Sequence, residues 1–224
     1  MRYQEEDKIN VRFINLKQIT MNEKINTIIF DLGGVLIDWN PKYVYSTIFD
    51  NEEKMQWFFE NICTSDWNEK QDAGRSLQEA TEELVVLYPD YENEVRAYYG
   101  RWEEMLGGPI HETVEILQSL KASGKFRLYA LTNWSAETFP VALQRYDFLK
   151  WFDGIVMSGE ERTRKPFAEI YQTLLDRFKI NAGEAIFIDD SLRNITGAET
   201  VGIRGIHFQS PHQLAQELRK LVNY

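Results

Sequence analysis

The sequence predicts an α/β protein: a parallel sheet flanked by helices, interrupted after its first strand by a small all-helical domain. Three observations carry that prediction. The run Ile28-Ile29-Phe30 ends in Asp31 and passes at once into Leu32-Gly33-Gly34-Val35, a buried strand breaking into a glycine turn. The stretch from 41 to 108 offers helical signals and no clear strand. From Ile110 onward, apolar strand runs alternate with helical patterns, which favours parallel strands joined by right-handed crossovers.

Taken in order, residues 1–24 carry no strong period. Met21 opens a polar lead-in to the first strand, and the segment before it reads as an N-terminal extension or a translation start placed too early. The core is expected from 25–40 and 109–224. Asn40-Pro41 opens the helical domain, since Asn caps helices and Pro is favoured in their first position. Asp50 with Glu53, and Ser76 with Glu79, have capping-box spacing. Trp57, Phe58, Trp67, Tyr98, Tyr99 and Trp102 supply enough aromatic surface for a small core. Gly107-Gly108-Pro109 reads as a flexible joint. With a second hinge near Asp38–Pro41, it makes residues 41–108 a movable lid over Asp31.

Beyond the joint, Ile110, Val114 and Leu117 mark one face of a helix that ends at Gly124. The strand Leu128-Tyr129-Ala130-Leu131 ends in Thr132-Asn133. A helix runs to about Tyr146 with Pro140 in its first turn, and Gly154-Ile155-Val156-Met157 forms a short strand. Helix Phe167–Phe178 leads to the strand Ala185-Ile186-Phe187-Ile188, which ends in Asp189-Asp190. A helix near Asn194–Val201, the strand Gly205–Phe208 and a last helix capped by Ser210-Pro211 with Gln213 complete the chain.

Composition narrows the function. At 224 residues the chain has room for a core and a small second domain. No run approaches the ~18 apolar residues of a membrane span, and the polar, acidic first residues lack the pattern of a secretory signal. A formal net charge of -10 argues against a nucleic-acid partner. Cys63 is the single cysteine, so no intrachain disulfide forms and a reducing, cytoplasmic setting is expected. Cys63 itself reads as a small buried apolar residue. His111, His207 and His212 are too scattered for a metal site; His207, on a strand, is expected to be hydrogen-bonded and structural.

Ligands of open α/β sheets bind in the crevice at the carboxyl ends of the strands. A carboxylate delivered there by Asp31 can act as a covalent nucleophile or a metal ligand, although a strand-ending Asp can also simply cap a turn. Thr132-Asn133, Arg164-Lys165-Pro166 and Asp189-Asp190-Ser191 shift the balance. Each alone is ordinary: a turn, a solvated loop, a helix start. Three of the four motifs follow predicted strands, where one rim of a parallel sheet could collect them.

This ordered set resembles the haloacid dehalogenase-like (HAD) hydrolase superfamily, from about Ile25 to Leu221. The family pattern is a nucleophilic Asp after the first strand, Ser or Thr after the second, Lys or Arg before a helix, and acids after the fourth strand. Here those positions are Asp31, Thr132, Lys165 and Asp189-Asp190. The wide gap between Asp31 and Thr132 resembles members with a helical (C1) cap. The resemblance implies a Rossmann-like parallel sheet core with that cap above it.

It also implies a Mg²⁺-dependent phosphatase acting on a small phosphorylated molecule through an aspartyl-phosphate. Mg²⁺ suits a set of hard oxygen ligands. Asp31, the Gly33 carbonyl and Asp190 are the implied ligands, with Asp189 a direct or water-mediated neighbour. Lys165 is expected to pair with Asp31 and the phosphoryl oxygens and to lower the Asp31 pKa. The Thr132 hydroxyl and the Asn133 amide or backbone N–H are expected to donate to the phosphoryl group. The turn through Gly33 and Gly34 adds backbone donors. Asn194 is expected to orient Asp190 or Lys165.

One position departs from the pattern. Many family phosphatases carry a second Asp two residues after the nucleophile, as general acid–base. Here Gly33 stands there, and such a group is worth about 10²–10⁴ in rate. An anomeric phosphate needs less protonation of its leaving oxygen, and Asp31-Leu32-Gly33-Gly34-Val35 looks like the sugar-1-phosphatase branch, so a sugar phosphate is one expected substrate.

Two other functions stay open. A metal-independent 2-haloacid dehalogenase uses the same Asp, but Asp189-Asp190 and Gly33 fit that branch poorly. A degenerate-site sugar-phosphate-binding protein would explain the lost acid, but not the retained motifs. Specificity is expected from the polar cluster Asp66, Trp67, Asn68, Gln71, Asp72 and Arg75. Arg75 would reach a polar or anionic tail and Trp67 would stack on a sugar; the plainer alternative is a solvated helix face around a core Trp. Oligomeric state is not fixed by the sequence.

Overall fold

The computed structural model describes residues 25–222; the expectation for residues 1–24 lies outside them. The elements in chain order are β1 Thr27–Phe30, β2 Ile37–Trp39, α1 Lys42–Tyr45, α2 Glu52–Asn61, α3 Ser65–Asp72, α4 Leu77–Leu87, α5 Glu92–Gly100 and β3 Leu106–Pro109. There follow α6 His111–Ser123, β4 Arg127–Thr132, α7 Phe139–Arg145, β5 Gly154–Met157, α8 Ser158–Glu161 and α9 Ala168–Phe178. The chain closes with β6 Ala185–Asp189, α10 Leu192–Thr200, β7 Arg204–His207 and α11 Pro211–Leu221.

Five strands form a parallel sheet in the order β5-β4-β1-β6-β7. Strand β1 is central, and Phe30 lies level with Ala130 of β4 and Ile188 of β6. That register brings Asp31, Thr132 and Asp189 to the same rim. The strands are continuous apolar runs because both faces are covered. Alternation sends Ile28 and Phe30 into one cluster with Leu128, Ile186 and Leu117 of α6, and Ile29 into another with Phe187, Tyr171 of α9 and Ile195 of α10. The predicted α/β architecture is the one observed.

Between β2 and β3 the chain is helical, and its aromatic residues build a core as expected. Tyr45 is fully buried among Phe49, Phe58 and Phe59, and its hydroxyl donates to the Glu94 carbonyl at 2.8 Å. Trp57 is not part of it, being 43% exposed. This core runs without a break into Leu32, Val35, Leu36 and Ile37 beneath Asp31.

Some local expectations change. Gly107-Gly108-Pro109 is a strand, paired antiparallel with β2, rather than a loose joint. Gly107 is needed because a Cβ there would overlap the Asp38 carboxylate and the Tyr43 ring. Helix α2 is capped by Asn51, whose side chain accepts from Lys54 N–H, and not by Asp50. Ser76 caps α4 and Ser210 caps α11 as predicted, and Gly124 ends α6 in the left-handed region at φ 63°. Cys63 is buried, which pushes its thiol pKa up although a hydrogen bond with Tyr45 opposes the shift. No described helix is long and apolar enough to cross a membrane.

Candidate active site at the sheet rim

The turn after β1 fixes Asp31. The Leu32 N–H donates to its Oδ1 at 2.7 Å, and the Leu32 carbonyl accepts from the Leu36 and Ile37 N–H groups. Gly34 takes φ 73°, and a Cβ there would overlap the Asp190 carboxylate. The glycine thus lets β1 and β6 bring their acids together. One carboxylate oxygen from each of Asp31, Asp189 and Asp190 lies within 4.8 Å of the others.

Lys165 is fully buried and spans two of these acids. Its Nζ lies 2.8 Å from Asp31 Oδ2 and 2.7 Å from Asp189 Oδ2. Burial works against its charge, but Asp189 and Asp31 outweigh it and hold the ammonium above its usual pKa. Asp31 shifts differently from the expectation. Lys165 does pull its pKa down, yet desolvation is larger, and with repulsion from Asp189 and Asp190 it pushes Asp31 up to about 8. Burial and Asp189 also raise Asp190. The cluster is short of positive charge.

Asp189 is more committed than the sequence suggested. Besides Lys165 it accepts from Ser191 N–H at 2.8 Å and from Asn194 Nδ2 at 3.0 and 3.1 Å. Asn194 therefore orients Asp189, not Asp190, and reaches Lys165 only through it. The Asn133 side chain is also occupied. Its Oδ1 accepts from Lys165 N–H at 2.9 Å and its Nδ2 donates to the Lys165 carbonyl at 3.1 Å. The side-chain amide thus braces the Lys165 backbone with one of its two N–H groups and its oxygen. His207 is structural as expected, its Nε2 lying 3.0 Å from the Asp190 carbonyl.

Thr132 differs from Lys165 and Asp189: its hydroxyl is buried, and among the described residues no group hydrogen-bonds its Oγ1. An unpaired buried hydroxyl costs about 1–3 kcal/mol, so a site that keeps one has a use for it. Thr132→Val is expected to leave the melting temperature unchanged or raised while lowering turnover about 10²-fold, the scale of one lost transition-state donor. Thermal unfolding and initial rates on the same preparation check this.

A cavity opens beside the acids. The core lines it with Gly33, Asn133, Trp134, Ser135 and Thr138, the helical block with Asn68, Asp72, Tyr99 and Trp102, and β2 with Trp39. Trp102 and Trp134, both in its wall, meet edge to face with ring centroids 5.6 Å apart. Polar links tie block to core: Glu69 of α3 pairs with Arg164 at 2.7 Å and with Arg193, and Leu77 N–H donates to Glu137 at 2.8 Å.

Two of the expected substrate-binding residues lie away from this cavity. Trp67 is a core residue, 6% exposed, packed on Tyr98 and Tyr99 with its Nε1 donating to the Ala80 carbonyl. Arg75 is turned to Glu83 and to Gln71 Oε1 and lines no part of the cavity. Their helical spacing placed them near Asn68 and Asp72, but α3 presents Asn68 and Asp72 to the cavity instead. The indoles of Trp39, Trp102 and Trp134 were not anticipated in the site. Trp134 directly follows Thr132-Asn133, which was the available signal.

Residues 25–202 match the family model described as haloacid dehalogenase-like hydrolase. The chain is 30% identical over 194 residues to the sesquiterpene phosphatase astK of Aspergillus oryzae, covering 87% of this chain and 95% of that protein. It is 26% identical over 189 residues to the pyrophosphatase PpaX of Bacillus cereus, covering 81% and 82%. An HAD family enzyme of Bacteroides thetaiotaomicron, solved as a magnesium complex, superposes with a TM-score of 0.67 at 21% identity, over 87% of this chain and 98% of that one. With four of the five parallel strands inside the matched span, and with the acids of β1 and β6 and the hydroxyl of β4 gathered at one rim, the chain belongs to the haloacid dehalogenase-like hydrolase family.

Proposed function

We propose that this hydrolase is a Mg²⁺-dependent phosphatase that cleaves a small phosphate monoester through an aspartyl-phosphate on Asp31. The observation that carries the reading is the convergence of three carboxylates, with one buried ammonium paired to two of them. A phosphate ester does not approach such a cluster unless a cation offsets it. The donor set fits a hard divalent ion: Asp31, Asp190 and the Gly33 carbonyl would hold it, and Asp189, committed to Lys165, Ser191 and Asn194, would act through water. Bound there, Mg²⁺ supplies the charge that admits the phosphate and keeps Asp31 ionised.

The chain's own groups do the rest. Asp31 attacks phosphorus, a P–O bond to Asp31 forms, and the bond to the leaving oxygen breaks. Lys165 and the Thr132 hydroxyl stabilise the phosphoryl oxygens, and water then attacks phosphorus to release phosphate and free Asp31. Asn133 and Asn194 hold Lys165 in place through its backbone and through Asp189.

Residues 41–108 act as a cap of the helical C1 type over this rim, supported by its share of the cavity wall and its ion pairs to the core. The names of the relatives astK and PpaX support phosphoryl chemistry. Three indoles suit the apolar face of a sugar phosphate, the reading suggested by Gly33, and equally a terpenoid phosphate. A single buried cysteine fits a cytoplasmic setting. A 2-haloacid dehalogenase is disfavoured because its carboxylate substrate would meet two further acids with no metal to offset them.

The test is turnover of p-nitrophenyl phosphate by purified protein. EDTA is expected to abolish it and excess Mg²⁺ to restore it. Halide release from 2-haloacids, unaffected by EDTA and without phosphate release, would replace this function with dehalogenation.

A further inference from the structure

Gly33 leaves the site without the usual acid–base group, and its surroundings show where a substitute can stand. A Cβ at Gly33 would meet nothing within 4 Å, so the position faces open space. Gly33 lines the cavity described above, and Asp72 lines the same cavity from the helical block. In-line attack by Asp31 puts the leaving oxygen on the far side of phosphorus, away from Asp31, and the helical block shares the wall of the cavity that Gly33 lines.

Asp72 is held for such a task. Its Oδ2 accepts from Asn68 Nδ2 at 3.2 Å. The Asn68 amide is oriented in turn by Tyr99, whose hydroxyl donates to Asn68 Oδ1 at 2.9 Å and accepts from Gln71 Nε2 at 3.0 Å. The charged and ionisable groups facing Asp72 come from three elements: Glu69 on its own helix, Arg164 and Lys165 from the loop before α9, and Tyr98 and Tyr99 from α5. Arg164 is itself paired with Glu69, and Lys165 with Asp31 and Asp189, so no cation is given over to Asp72.

We propose that Asp72 is the general acid–base of the reaction: it gives its proton to the leaving oxygen as the P–O bond breaks and takes one from the water that hydrolyses the aspartyl-phosphate. The assignment rests on the phosphatase reading above. Proton balance closes, since the proton lost in the first step is regained in the second. The state of Asp72 agrees: desolvation and Glu69 raise its pKa to about 7 against the pull of Arg164 and Lys165, so it carries its proton below neutrality and can lose it in turnover.

Asp72→Asn tests this with two esters, since p-nitrophenolate leaves without a proton and an alkoxide does not. The substitution keeps shape and can keep the bond with Asn68. For butyl phosphate, kcat should fall about 10²–10⁴-fold. For p-nitrophenyl phosphate, a burst of one equivalent of p-nitrophenolate should persist, followed by slow turnover as the phosphoenzyme accumulates. The wild-type rate on butyl phosphate should decline as pH rises through about 7, and that limb should vanish in the variant. Gly33→Asp, added to Asp72→Asn, should restore butyl phosphate turnover, because the side chain has room. Equal losses on both esters without a burst, or no loss on either, would overturn the assignment. A wild type inactive on both esters would fail the phosphatase reading itself, and Asp72 with it.

Discussion

Asp31→Asn is expected to lower hydrolysis of p-nitrophenyl phosphate by about 10⁴-fold or more, the scale on which loss of a nucleophile removes a covalent route. The same substitution should not unfold the protein. Asparagine fits the turn, its side-chain oxygen can still accept from Leu32 N–H, Lys165 keeps its ion pair with Asp189, and the change removes a buried charge that faces Asp189 and Asp190. The effect on stability has a defined pH dependence. The folded pKa of Asp31 is raised from 3.8 to about 8, chiefly by burial. A raised pKa favours the protonated folded state, so its stabilising contribution is complete below 3.8 and is lost as pH rises to about 8. In metal-free solution, wild type should therefore lose stability relative to Asp31→Asn across that window. Urea melts at several pH values in EDTA check it, and a difference of the opposite sign would show that Asp31 is held as a carboxylate by the protein alone.

Lys165→Met is expected to damage fold and activity together. The ammonium is fully buried and paired with two carboxylates, and its Nζ lies 5.4 Å from the Phe187 ring centroid. Removing one member of a buried ion pair costs about 3–5 kcal/mol, because the remaining charges are left uncompensated. Activity should fall further than stability explains, by on the order of 10²–10³, through loss of a donor to the phosphoryl oxygens. Urea unfolding and kinetics at a temperature where the variant is folded separate the two effects. Thr132→Val provides the contrast, with catalysis impaired and stability kept. Loss of stability in both variants would mean that the rim is organised for folding rather than for a substrate.

The fold was legible because its signals are local. Apolar runs of strand length, each ending at a polar residue or pair, mark β1, β4 and β6, and Ser76, Ser210, Gly124 and Pro140 punctuate the helices. The acids, Thr132 and Lys165 were legible because each sits at the end of such an element or just before one. What the sequence did not disclose depends on pairings between distant segments. Asn133 embraces the Lys165 backbone and Asn194 serves Asp189, choices settled by how β4, the loop before α9 and α10 meet. Trp67 and Arg75 share α3 and its C-terminal turn with Asn68 and Asp72, and only the docking of α3 decides which face meets the cavity. The joint at Gly107–Pro109 misled for a related reason: glycine there serves close packing against Asp38 and Tyr43, which composition reads as looseness.

The most direct test of the central claim is to quench the enzyme in acid during p-nitrophenyl phosphate turnover with Mg²⁺ and weigh its peptides. The peptide containing Asp31 should carry the added mass of one phosphoryl group, absent with EDTA and absent in Asp31→Asn. Turnover that proceeds with no modified Asp31 peptide, or with the phosphoryl group on another residue, would contradict the account.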